Sequence, residues 1–261
     1  MRRFGIHHMT AMELSPVEFV KAAAKHGCQS VSLFGFGDPN QFPLVTSKNN
    51  IELKAALRDT AIQVGNVDPF ILLPNTKIED LIPGLDIAAD IGAAGISVVV
   101  LDNDQQRVSQ LLGELCSRSL GFDLRVAIEF MALSPAWNSL PEAVKLVSLL
   151  NAPNLGLSVD VLHLIRSGGT AADVADLSPE LFYNFQLCDS LDLRACSDYG
   201  AEAMGARLAP GEGRFPLFEI LSALPSNMLI ELEVPQNAGR PADERIRHVV
   251  ACAKKLIATL T

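Results

Sequence analysis

The sequence has few basic residues and no long apolar run, and each shortage excludes a class of protein. Its 21 lysines and arginines are outnumbered by 30 aspartates and glutamates, for a formal net charge of −9. A field of this sign repels nucleic acid and anionic membranes, so we expect neither as a partner. The longest strongly apolar run, GISVVVL, is much too short to span a bilayer, and no export signal is indicated.

Cysteine is also scarce. The chain has 5 cysteines, an odd number, and none of them form a CxxC pair. Disulfide frameworks use even sets of cysteines and zinc knuckles use CxxC pairs, so the sequence fits neither class. We therefore expect reduced thiols and a cytoplasmic protein.

What the sequence does contain is a regular alternation of strands and helices. With 261 residues, 49% of them hydrophobic and 20% charged, the chain is expected to form a single domain over 1–261. Short apolar or β-branched runs alternate with stretches of helical spacing, which is typical of βαβ units. The predicted strands are RFGIHH, SVSLFG, IQVGNV, GISVVVL, RVAIEF, LGLSVD, YNFQLCD and MLIELEV.

Helices are predicted between these runs, at 16–26, 50–60, 78–91, 106–120, 141–150, 216–224 and 242–260. A parallel sheet of this size either stays open or closes into a (β/α)8 TIM barrel. No GxGxxG turn follows the first strand, and this favours the closed barrel. In such barrels the chemistry lies at the carboxyl ends of the strands.

Four consecutive strands carry an oxygen-bearing side chain near that end: Glu129, Asp160, Gln186 and Glu231. Because side chains alternate along a strand, Glu231 and Glu233 would both face the barrel interior. Several enclosed carboxylates repel one another unless a cation neutralises them. Three carboxylates and one amide oxygen suit Mg²⁺ or Mn²⁺, so we expect one divalent metal ion.

The same residues carry a family resemblance. Along the chain, Glu129 is followed by the DxxH motif at 160–163, by a strand with Gln186 and Asp189, by PGEG at 210–213 and by Glu231. This order resembles the xylose isomerase-like TIM-barrel family of sugar phosphate isomerases and epimerases. The resemblance implies that Glu129, Asp160, Gln186 and Glu231 coordinate one divalent ion. Sugar epimerases of this family usually have histidine at the place of Gln186, whereas bacterial 3-dehydroshikimate dehydratases can have glutamine, and EFMALSPAWNS also resembles that branch.

We assign proton transfer to His163, Glu129 and Glu231. An imidazole can exchange protons near neutral pH, so His163 would act as acid or base, or would instead only orient Asp160. Arg207, before the PGEG loop, would clamp a substrate carboxylate or phosphate, or would form a surface ion pair.

Three further residues are assigned to substrate binding: Trp137, His8 and Glu233. Trp137 would close over a ring-shaped substrate, or would pack between two loops. Neighbouring residues of a strand point in opposite directions, so only one of His7 and His8 can face the barrel interior.

The resulting hypothesis is an enzyme that removes a proton next to a carbonyl on a polyhydroxylated small molecule. Reprotonation gives isomerisation or epimerisation, and loss of a β-hydroxyl gives dehydration, as in a 3-dehydroshikimate dehydratase. A barrel that only binds a small molecule is the non-catalytic alternative. An endonuclease IV-like nuclease needs many histidines and a basic face, and it does not fit 5 histidines and an acidic chain. Pairing through the outer helices would give a homodimer.

Overall fold

The structure is a computed structural model that describes residues 2–193, 198–236 and 239–260. Eight parallel strands form a closed barrel in which each strand pairs with the next and β8 pairs with β1. The strands are β1 Phe4–His7, β2 Ser30–Phe34, β3 Gln63–Leu72, β4 Gly95–Val100, β5 Arg125–Glu129, β6 Leu155–Asp160, β7 Phe182–Leu187 and β8 Ile230–Leu232.

Helices surround the barrel. They are α1 Pro16–Lys25, α2 Asn50–Thr60, α3 Ile78–Asp90, α4 Gln105–Leu120, α5 Leu140–Leu150, α6 Val161–Arg166, α7 Ala171–Ala175, α8 Tyr199–Gly205, α9 Leu217–Ala223 and α10 Ala242–Ile257. Short 3₁₀ turns lie at His8–Ala11 and Pro179–Leu181. Among the described residues, no helix has the length and apolarity needed to cross a bilayer.

The strand pattern explains why the core lies between barrel and helices. In β4, Ile96, Val98 and Val100 are buried in this layer, whereas Ser97 points into the barrel and contacts Glu129. The helices bury one face against the strands, as α1 does with Phe19 and its neighbours. This alternation places a polar side chain at a strand end inside the barrel mouth.

The predicted (β/α)8 TIM barrel is confirmed, and each of the predicted strand runs overlaps an observed strand, although β3 continues to Leu72, beyond the predicted run IQVGNV. The predicted helices are also present, with ends that differ by up to about three residues. Three helices were not predicted: α6, α7 and α8. They have 6, 5 and 7 residues, too few to show a helical period in the sequence.

Candidate active site

A cavity of about 230 Å³ opens at the carboxyl ends of the strands. Its ionisable lining comes from the strand ends and the segments that follow them: His7, Asp68, Glu129, His163, Arg207 and Glu233. Barrel enzymes place their chemistry at this end, so the cavity is the candidate active site.

Glu129 ends β5 and is held by two neighbours. One carboxylate oxygen accepts a hydrogen bond from Ser97 Oγ at 3.1 Å, and the other lies 3.3 Å from His163 Nε2. Burial alone lowers the pKa of His163, but the carboxylates of Asp160 and Glu129 outweigh it and raise that pKa. His163, the last residue of the DxxH motif, therefore links α6 to Glu129 at the end of β5.

Asp160 ends β6 and caps α6. Its Oδ1 accepts from the amides of Leu162 at 2.6 Å and His163 at 3.2 Å, and its Oδ2 accepts from Arg207 Nη1 at 2.5 Å. Burial opposes the charged carboxylate, yet Arg207 and the other donors hold the pKa of Asp160 below its usual value.

Arg207 is only 2% exposed, which rules out the surface ion pair considered from the sequence. Its second terminal nitrogen lies 3.0 Å from Glu233 Oε1, so one guanidinium bridges two carboxylates. Gln186 joins this group, because its Nε2 donates to Glu233 Oε2 at 2.5 Å while its Oε1 accepts from Ser158 Oγ at 2.9 Å. Burial raises the pKa of Glu233 to about 7, against the opposing charges of Arg207 and His7.

Glu231 does not lie with this group, which corrects one predicted metal ligand. Its carboxylate accepts from Ser32 Oγ, and from Asn184 Nδ2 at 2.8 Å, deeper in the barrel. It borders a cavity of about 460 Å³ at the opposite end of the barrel. Glu233, which directly follows β8, takes the position at the mouth, so the fold brings together Glu129, Asp160 and Gln186 near the ends of their strands and Glu233 just beyond β8.

His7, not His8, faces the mouth. The Nδ1 atom of His7 accepts from the Met9 amide at 3.1 Å, and Nε2 lies 2.9 Å from Asp68. His8 points the other way and stacks on Phe19 of α1, with ring centroids 4.3 Å apart. The prediction that His8 contacts substrate is therefore wrong, since its side chain lies behind the barrel wall.

Trp137 also lies outside the mouth cavity. It is 7% exposed and packs in the core layer after β5, where its amide donates to Ser134 Oγ at 3.1 Å. Its ring borders a separate surface cavity together with Asn103 and Glu142. Of the two alternatives read from the sequence, packing between loops is the one that the structure contains.

Tyr199 is a neighbour of the site that the sequence did not reveal. Its hydroxyl is hydrogen-bonded to Nδ1 of His163, and burial raises the pKa of the phenol. Tyr199 begins α8, which is tied to α6 by the buried ion pair between Arg166 and Glu202 at 2.5 Å. The short helix α8 gives no periodic signal in the sequence. The one sequence feature that distinguishes this position is the rarity of tyrosine, with 2 in the chain.

The PGEG loop is fixed by Asp189, which follows β7. The carboxylate of Asp189 accepts from the amides of Gly211 at 3.0 Å, Gly213 at 2.9 Å and Phe215 at 3.0 Å. A Cβ atom at Gly213 would lie 2.3 Å from that carboxylate, so the position requires glycine. Glu212 instead points outward and pairs with His248 at 2.7 Å.

The donor chemistry fits a divalent cation. Glu129, Asp160 and His163 each place one ligand atom within 4.8 Å of the other two, and Gln186 lies on the adjoining strand β7 with Glu233 directly after β8. Oxygen donors with one imidazole and without a thiolate suit a hard or borderline divalent ion.

A comparison with protein-family models matches residues 20–256 to the xylose isomerase-like TIM barrel. The chain belongs to the xylose isomerase-like TIM barrel family. The resemblance seen in the sequence is thereby confirmed for the family. No curated protein sequence matches the chain.

Solved structures share the fold over nearly the whole chain. The IolI protein with a bound zinc atom has 16% identity and a TM-score of 0.83, covering 99% of both chains. The 3-keto-D-glucoside 4-epimerase YcjR from E. coli has 16% identity and a TM-score of 0.75, covering 98% of this chain and 100% of its own. The probable 3-DHS dehydratase AsbF from Bacillus anthracis has 15% identity and a TM-score of 0.76, covering 97% and 98%.

Proposed function

We propose that this protein is an isomerase or epimerase that moves a proton at the carbon next to a carbonyl in a small hydroxy-carbonyl compound. The observation that carries the proposal is the convergence of Glu129, Asp160, Gln186 and Glu233 at one barrel mouth, with His163 and Arg207 among them. Such a set of acids and bases around a cavity is typical of a proton-transfer enzyme. The family membership and the epimerases among the solved structures support it.

A divalent metal ion would be held by Glu129 and Asp160, with Gln186 and Glu233 as the other donors. When bound, such an ion polarises the carbonyl and stabilises the enolate oxygen. The zinc atom in the IolI structure supports a divalent metal, and the oxygen-rich donor set favours manganese or magnesium here.

The protein groups would divide the proton transfer between them. Glu129 and Glu233 face the cavity from strands three places apart in the ring, so each approaches a bound substrate from its own side. Removal of the proton by one carboxylate and return by the other to the opposite face of the same carbon inverts that carbon, whereas return of a proton to the neighbouring carbon, the former carbonyl carbon, gives isomerisation. His163, 3.3 Å from Glu129 and supported by Tyr199, would donate to a substrate oxygen.

Gln186 favours dehydration as a second candidate. Bacterial 3-dehydroshikimate dehydratases resemble this chain at Gln186, and a probable 3-DHS dehydratase shares the fold. Loss of a β-hydroxyl from the same enolate would give the dehydrated product. Incubation of the metal-loaded protein with 3-dehydroshikimate, followed by ultraviolet absorbance of the aromatic product, separates this reaction from isomerisation.

The test begins with metal analysis of the purified protein. The protein with and without EDTA is then incubated in D₂O with a panel of hydroxy ketones, and deuterium at the carbon next to the carbonyl and new products are followed by NMR. We expect exchange or turnover that EDTA abolishes and added Mn²⁺ restores.

Glu129→Gln should lower the rate by about 10²- to 10⁴-fold, because it removes a proton-transferring group. Glu142→Gln on α5, outside the mouth cavity, is the matched control and should leave the rate unchanged. Ligand binding with no exchange or product under any metal condition would refute the proposal and favour a barrel that only binds.

A further inference from the structure

The walls of the mouth cavity differ chemically from its floor. The floor carries the ionisable groups described above, whereas the walls are formed by Phe34, Phe42, Ile71, Leu101, Leu133 and Met204, among others. These side chains come from the ends of β2 to β5 and from α8, so they surround the opening above the ionisable floor.

Polar partners for a sugar chain are scarce above the floor. Among the described residues lining the cavity, none is a serine, threonine, asparagine, glutamine, tyrosine, tryptophan or lysine. A hydroxyl group that enters such a wall loses its hydrogen bonds to water and gains none, which opposes binding.

The basic side chains among the described residues of this lining are already paired with carboxylates, His7 with Asp68 and His163 with Glu129. Arg207 supplies the guanidinium among the described lining residues, and it is already bonded to Asp160 and Glu233. An added phosphate would meet the carboxylates of Asp68, Glu129 and Glu233 instead. Among the described lining residues, charge as well as hydrogen bonding therefore opposes a phosphate on the part of the substrate that lies away from the reacting end.

We infer that the substrate has a polar hydroxy-carbonyl end and an uncharged apolar remainder, a short aliphatic or aromatic group, in place of the polyhydroxylated chain of a sugar. The inference rests on the proposed function, which supplies the reacting end. The cavity volume of about 230 Å³ is below the roughly 300 to 1,000 Å³ of pockets for drug-sized ligands, so the apolar group is short. Each of its methylene groups that becomes buried should tighten binding about fourfold.

The test uses ligands with the same reacting end and different tails. Hydroxyacetone and hydroxymethyl propyl ketone differ by two methylenes, and a pentulose and its terminal phosphate have the carbon skeleton of the propyl compound. Binding is measured by calorimetry on the metal-loaded protein, and exchange of the hydroxymethyl protons is measured separately in D₂O. The propyl ketone should bind about fifteenfold more tightly than hydroxyacetone and more tightly than either pentulose.

A double variant, Leu133→Asn with Met204→Gln, tests the wall itself. Both residues are about half exposed, at 54% and 48%, so the fold tolerates polar side chains there. The preference for the propyl ketone over hydroxyacetone should fall to about fourfold or less, because the tail then meets polar groups. Leu149→Gln on α5, at 57% exposure and outside the cavity lining, should leave the preference unchanged.

The outcomes separate the two proposals. Tight binding of the propyl ketone, with no exchange of any ligand, would refute the proton-transfer function and leave the apolar wall assigned to binding alone. Exchange or binding of the pentulose or its phosphate at least as good as that of the propyl ketone would overturn the inference and leave the function standing. Failure of the alkyl ketones to bind would also overturn the inference.

Discussion

The buried His8 provides a quantitative test of how the barrel wall responds to pH. Its Nε2 lies 3.0 Å from the carbonyl oxygen of Leu14, and its Nδ1 is buried with no partner within the described structure. Burial, and in smaller part the charge of His7, lowers the pKa of His8 to about 3. In the unfolded chain the same imidazole titrates near 6.5.

The direction of the effect follows from these two values. Above pH 6.5 His8 is neutral in both states and contributes no pH dependence. As the pH falls below 6.5 the unfolded chain binds a proton that the folded state refuses until about pH 3, so the free energy of unfolding falls. The expected loss relative to pH 7.5 is about 0.8 kcal/mol at pH 6 and about 2 kcal/mol at pH 5.

The measurement is urea unfolding at pH 7.5, 6 and 5 for the wild type and His8→Gln. Other groups titrate in both proteins, so the difference between the two pH profiles isolates His8. Val20→Ala, which removes buried methyl groups from α1, is the control, and its loss of stability should be the same at each pH. The same profile in His8→Gln as in the wild type would refute the reasoning, and a raised KM in His8→Gln would restore His8 to the substrate site.

Four further variants test the mouth and the residues around it. Glu233→Gln should lower the rate by about 10²- to 10⁴-fold, whereas Glu231→Gln should lower it by about tenfold or less. Steady-state kinetics measure both rates, and the reverse order would show that Glu231 is the residue of the active site. Arg207→Met leaves two buried carboxylates without their cation and should cost about 3–5 kcal/mol in urea unfolding, whereas a loss near that of an exposed pair would contradict the buried bridge. Tyr199→Phe should cost about 0.5–1.5 kcal/mol and lower kcat more than it changes KM, because it removes the hydrogen bond that orients His163, and an unchanged kcat would exclude this positioning role.

The barrel was predictable from the sequence because its strands lie in short apolar runs that are separated by helices with clear periods. The helix α1, for example, begins at Pro16 after a capping box between Ser15 and Glu18 that is visible in the sequence. The helices α6 and α8 were missed because a single turn or two carries no such pattern. The fold thus depends on signals that extend over ten residues or more.

The site was predicted less well than the fold. Two of the wrong assignments, His8 and Glu231, lie one or two residues from the residue that faces the mouth. His7 and His8 are equivalent in the sequence, and only the direction of β1 against α1 decides which faces the mouth. Glu231 lies in β8 and Glu233 just beyond its end, and their depth in the barrel depends on the strand register. The sequence already placed Glu233 facing the barrel interior, but it did not show that Glu233 lies nearer the mouth than Glu231.

Trp137 and Tyr199 show a second reason why the site was harder to predict than the fold. Their roles depend on where loops and short helices pack, and this depends on contacts distant in sequence, such as the one between His163 and Tyr199. No local pattern encodes such contacts.

The carboxylate of Asp189, buried beneath the PGEG turn, has a consequence for dynamics at the rim. Surface loops ordinarily open readily and exchange their amide hydrogens fast. The amides of Gly211, Gly213 and Phe215 all point at one anion, so none of them reaches solvent unless the whole turn lifts together. Hydrogen–deuterium exchange at these amides should therefore be slow and concerted, and Arg207, which precedes the turn in the chain, is joined to a rim that behaves as part of the rigid barrel.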